Sequence, residues 1–147
     1  MRTVRDDRGS ISLYLAIFGI AAFALLALLV DGGTALNAKE RAADIAEQAA
    51  RAAANQISVA GLRAANPVVV LGPGACQAAA GLVGRYPVGS HTTASLTGCN
   101  APAGATVATV AVSVTTAPVF PFFFGSFTMT STASATPVCG ITQGGQC

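Results

Sequence analysis

The chain has 147 residues, of which 52% are hydrophobic and only 10% charged, against about 25% charged in an average soluble protein. Its formal net charge of +2, without a basic cluster, gives no footprint for nucleic acid. All six carboxylates (Asp6, Asp7, Asp31, Glu40, Asp44 and Glu47) lie in the first 47 residues, so the last hundred cannot supply the paired carboxylates of a glycosidase.

The arm MRTVRDDRGS carries Arg2, Arg5 and Arg8 and is followed by twenty uncharged residues, Ile11 to Val30, ending at Asp31. At about 1.5 Å per residue such a run spans roughly 30 Å as a helix, the thickness of a bilayer's hydrocarbon core. It reads as a transmembrane anchor. Lys and Arg beside a span stay in the cytoplasm, which places the N-terminus inside and everything after Asp31 outside. A cleavable secretory signal has the same charge polarity, but its apolar region usually runs about 7 to 15 residues. Setting aside arm and anchor leaves chain for one small domain.

Asp31-Gly32-Gly33 reads as a break and hinge, with Asp31 or Thr34 able to cap a second helix. Residues 34–58 are rich in helix formers. At about 100° per residue Ala35, Ala38, Ala42, Ile45, Ala46, Ala49, Ala53 and Ile57 form one stripe, with Glu40, Asp44, Glu47, Arg51 and Asn55 opposite. An alanine face buries little area but permits close approach, which suits packing on the chain's own sheet or against another subunit.

Pro67 and the following VVVL read as a short strand ended by Gly72-Pro73-Gly74. Cys76 to Tyr86 reads as a short helix or an irregular segment, and Ser90 to Ala105, small, polar and broken by glycine and proline, as loop. Val110, Val112 and Val114 then alternate with Ala111, Ser113 and Thr115, the rhythm of a half-buried strand. A second such run, Ser126 to Thr136, puts Phe127, Met129, Ser131, Ala133 and Ala135 on one face and Thr128, Thr130, Thr132 and Ser134 on the other. The two suggest an antiparallel pair covered by the alanine-striped helix, with the hydroxyl face in water. Their connection, APVFPFFFG, holds Phe120, Phe122, Phe123 and Phe124. It closes the core's end, contacts a neighbouring subunit or dips into the membrane surface.

Cys76, Cys99, Cys139 and Cys147 all follow the anchor, and an even number there fits a disulfide-permitting compartment. Chain order favours Cys76 with Cys99 and Cys139 with Cys147, among three pairings that can be drawn. Zinc is the rival reading, with no CxxC pair to support it. His91 is the only imidazole and Lys39 the only lysine, so neither a nucleophile–base arrangement nor a phosphate loop with its lysine is visible. No enzyme activity, cofactor, metal or small-molecule substrate is expected.

The arm ending in Arg8-Gly9-Ser10, the anchor, the Asp31-Gly32-Gly33 exit, and the helix with Arg41-Ala42-Ala43-Asp44 and Glu47-Gln48-Ala49-Ala50-Arg51 resemble the actinobacterial TadE/TadG-like proteins of tight-adherence (Flp-type) pilus assembly. VAVSV, the aromatic connection and ASATPV at 133–138 are similar too. The resemblance covers residues 5–57 well and 106–138 loosely. It implies a pilin-like or pseudopilin-like membrane protein used in assembling or tipping a surface filament. Prepilins of this kind are cut after a glycine before the apolar run, here between Gly9 and Ser10, and carry a glutamate five residues on, where this chain has Tyr14. That departure favours a minor or accessory component over a major pilin.

The expected architecture is α+β: a long N-terminal helix, transmembrane then amphipathic, packed on a small antiparallel sheet. Its parts are a cytoplasmic arm (1–10), a transmembrane helix (11–30), an extracytoplasmic helix (34–58) and a disulfide-containing β-rich domain (66–147). The expected function is that of a minor Tad-pilus component contributing to filament assembly and adhesion, in a single-pass membrane location. Its partners are the membrane, other pilus or secretion-system subunits, and further copies in an oligomer or filament. The alternative is a membrane-tethered adhesin independent of a pilus.

Overall fold

A computed structural model describes residues 8–122 and 125–138. The first element, α1, is one uninterrupted helix, Arg8–Ala54, of 47 residues, about 70 Å long at the usual rise. The expected break at Asp31-Gly32-Gly33 does not occur. Each glycine costs about 1 kcal/mol relative to alanine in a helix interior, but flanking turns rich in Ala, Leu, Glu and Lys propagate the helix across them. Side chains on both sides of the pair are also docked: Ala27, Asp31 and Ala38 are buried. The Thr34 hydroxyl donates back to the Asp31 carbonyl at 2.7 Å, a bond made within the helix and not at a cap.

α1 ends at Ala54, short of residue 58. Ile57 is drawn into an isolated antiparallel bridge with Leu71, and the Ser58 N–H donates to the Val70 carbonyl at 2.9 Å. Those bonds replace the helical ladder. A one-turn helix, α2 (Val59–Leu62), comes next, its N-terminus capped by the Ser58 hydroxyl, which accepts from the Gly61 N–H. The run from Pro67 is not a strand. Only Leu71 pairs, and it alone of the run is fully buried. Its N–H donates to Ala105 and its carbonyl accepts from Gly104, both at 2.8 Å, so its partners belong to a loop instead of a sheet edge. Gly74, at φ +93°, turns the chain into α3 (Ala75–Arg85). This is a regular helix whose Ala75, Ala79 and Val83, spaced one turn apart, face the core.

Three strands make one antiparallel sheet in the order β1-β2-β3: β1 Thr92–Asn100, β2 Ala108–Thr116 and β3 Phe127–Ala135. β1 replaces most of the expected 90–105 loop. Its alternation is hard to see because the register with β2 slips between Leu96 and Gly98. The bulge there reverses the parity, so that Ala94 and Leu96 before it and Cys99 after it all reach the core. β2 and β3 keep the alternation of their sequences. Val110, Val112 and Val114 are fully buried, aligned with Ala133, Ser131 and Met129. On the outer face the Thr115 and Thr128 hydroxyls pair at 3.0 Å, and those of Thr109 and Ser134 at 2.9 Å.

The arrangement is thus α+β, a long N-terminal helix on a small antiparallel sheet. α1 lies across β2 and β3 with α3 beside it over β1. The disulfide Cys76–Cys99 ties α3 to β1. Closing a loop of 23 residues stabilises the fold by about 3 kcal/mol in the chain-entropy account.

Candidate functional site

The chemistry of this molecule concentrates along α1, which presents two different surfaces. In its C-terminal half the alanine stripe is core. Ala38, Ala42, Ile45, Ala46, Ala49 and Ala53 are buried, as are Ala50 and Ala54. Ala35 and Ile57, near its two ends, are half-buried. The stripe faces the chain's own sheet and α3. The opposite face carries Glu40, Asp44, Glu47 and Arg51, all exposed. Glu47 and Arg51 form a solvent-exposed ion pair at 3.2 Å, of a kind that contributes a few tenths of a kcal/mol.

In the N-terminal half the apolar side chains point outward. Ile11, Leu15, Phe18, Leu25 and Leu29 are among many large hydrophobic residues more than half exposed. Among the described residues α1 is the one helix long and apolar enough to cross a membrane.

Where these halves meet, Asp31 is 1% exposed. Its carboxylate accepts two backbone N–H groups from the β2–β3 connection, Val119 at 2.7 Å to Oδ1 and Phe120 at 3.3 Å to Oδ2. Charge-assisted bonds of this sort satisfy a buried carboxylate that would otherwise be strongly disfavoured. Two turns toward the N-terminus, Phe23 meets Phe120 edge-on, with centroids 5.7 Å apart and ring planes at 81°. Ala27 lies between these contacts on the same helix face and is buried. The aromatic connection therefore docks on the apolar half of α1.

Of the four phenylalanines read as an interaction patch, Phe120 is half-buried on α1 and Phe122 is 96% exposed. Phe123 and Phe124 lie outside the described residues. So do Cys139 and Cys147. Gly9 and Ser10 fall in the first turn of α1. His91 sits exposed in the turn before β1, its carbonyl accepting from the Ala117 N–H at 3.1 Å. An open groove of about 360 Å³ between α1 and the sheet's end is lined by Val30, Gly33, Thr34, Asn37, Arg41, Thr92 and Thr116, among others. Among the described residues Arg41 is the only ionisable side chain in its lining.

Asp31 is the residue that sequence reasoning misplaced, as a cap. The visible signal was a lone carboxylate closing an apolar run and spaced i, i+4, i+8 with Phe23 and Ala27. Its partners stand 88 and 89 residues away, beyond any local pattern.

These features define a class: an α+β protein in which one helix is both an apolar stem of membrane length and the spine of a small sheet. Residues 9–56 match the family described as putative Flp pilus-assembly TadE/G-like, and over that segment the chain is similar to that family. The match covers the apolar stem and the alanine-striped half together, and it supports a pilus-associated role. No curated protein and no solved structure matches the chain.

Proposed function

We propose that this chain is a non-enzymatic, pilin-like or pseudopilin-like minor component of a Tad (Flp-type) pilus or related secretion apparatus, contributing to filament assembly and adhesion. The observation that carries this reading is the coincidence of the TadE/G-like segment, residues 9–56, with a single helix whose first half is apolar and outward-facing and whose second half is core. The chain crosses the membrane once through residues 11–30. Arg2, Arg5 and Arg8 hold the arm in the cytoplasm, because Lys and Arg flanking a span resist translocation. The sheet domain is extracytoplasmic, where the Cys76–Cys99 disulfide is stable.

Because the alanine stripe is used inside the fold, the surface left for other subunits is the outward-facing stem. Tyr14, where a shaft-forming prepilin would carry glutamate, fits an accessory subunit. Gly9-Ser10 is the processing site in this reading. Deletion of the gene should abolish surface filaments, with recovery on expression of the full chain. Normal piliation in the deletion strain would overturn the proposal and leave the tethered adhesin as the better reading.

A further inference from the structure

The β2–β3 connection is built unlike a solvent loop. From Ala117 to Phe122 it reads APVFPF, without a charge or a polar side chain. Its N–H groups can be accounted for one by one. Ala117 donates to the His91 carbonyl at 3.1 Å. Pro118 and Pro121 have no N–H to satisfy. Val119 and Phe120 both donate to the Asp31 carboxylate. From Ala117 through Pro121, no backbone donor is left asking for water.

A solvated loop does not need every donor paired within the protein, because water can serve its N–H groups. In contact with hydrocarbon an unsatisfied N–H is strongly penalised, so pairing the donors from 117 to 121 lowers the cost of seating this connection at the headgroup boundary, where its carbonyls and the Phe122 N–H still meet water. The loop's position agrees. It is held at Asp31, immediately after the apolar run, and reaches Phe23, eight residues or roughly 12 Å back along the helix axis. That stretch belongs to the segment that spans the membrane. In the same connection Val119 is 57% and Phe122 is 96% exposed, beside a stem whose Leu25, Leu26 and Leu29 also face outward.

We propose that the Ala117–Phe122 connection is a second membrane-seated element, lodged in the domain-side leaflet at the boundary between headgroups and acyl chains, with lipid covering Val119 and Phe122. Insertion of about 5–10 Å is the usual depth for an apolar element lying in that boundary. The buried Asp31 is then the group that makes the loop compatible with lipid: it removes two N–H donors from the accounting and fixes the loop to the stem. Two points of attachment set the height and tilt of the sheet over the membrane, where a single helix would leave the domain free to swing. The inference rests on residues 11–30 being the span.

The chain contains no tryptophan, so a single introduced indole reports its own surroundings. The full chain carrying Phe122→Trp is reconstituted into phosphatidylcholine vesicles whose acyl chains are brominated at different depths, beside a second protein carrying Phe18→Trp within the stem. The expected result is a blue-shifted Phe122→Trp emission, quenched most by the shallowest bromines and protected from aqueous iodide, with Phe18→Trp quenched by deeper ones. If Phe18→Trp is quenched by lipid bromine while Phe122→Trp stays red-shifted and open to iodide, the span stands and the membrane-seated loop is refuted. If neither is quenched by lipid, the spanning stem itself is refuted and the loop proposal falls with it.

Discussion

Asp31 joins two parts of the chain that local sequence patterns treat separately. A carboxylate at the end of an apolar helix usually faces water or caps the next helix. Here it is buried, and both its oxygens accept N–H groups from the strand connection. Asp31→Asn keeps the shape but turns one acceptor into an NH2 facing a donor. The full chain in detergent should therefore lose about 1–3 kcal/mol of stability, read as a lower unfolding midpoint; an unchanged midpoint would show that the contact carries no weight. Two residues on, Gly33 tests the continuity of α1. Among the described residues only Gly74 and Gly104 have positive φ, and a Cβ added at Gly33 meets nothing within 4 Å. Gly33→Ala should thus stabilise the protein by about 0.5–1 kcal/mol. A working hinge would instead show impaired assembly in the same variant.

Among the elements, those whose own periodicity decides their environment were legible. The alanine stripe at helical spacing and the alternating valines of β2 are buried as the pattern implies, and β3 presents the face that its sequence assigns. Elements decided by distant partners were not. The bulge in β1 hides its alternation, and VVVL after Pro67 satisfies strand propensity but finds no sheet edge, because its hydrogen bonds go to Ser58, to Gly61 in α2 and to the 104–105 turn. Glycine and aspartate at 31–33 carry break signals that long-range docking overrides. The stripe has a consequence of its own. Ala46 is fully buried where α1 packs within the domain, so Ala46→Leu inserts a side chain without room and should cost about 1–3 kcal/mol, measured by thermal or denaturant unfolding. A neutral result would mean that the helix does not approach its neighbours as closely as the alanines allow.

At the scale of the whole molecule, a stem with its apolar residues outward cannot remain in water as it stands. The stem is satisfied only with lipid or other subunits around residues 11–30, and the TadE/G-like match over 9–56 indicates a pilus-assembly setting. The candidate site could not be read in full from sequence because its two halves, the stem and the aromatic connection, come together only in the folded chain. The most direct test of the central claim is to cross-link the full-length protein in its native membrane, purify it through a C-terminal tag and identify its covalent partners by mass spectrometry. A pilus-associated subunit should carry other Tad pilus-assembly components, trapped through residues of the stem. Recovery of the protein free of any such component from a strain that is visibly piliated would contradict the account.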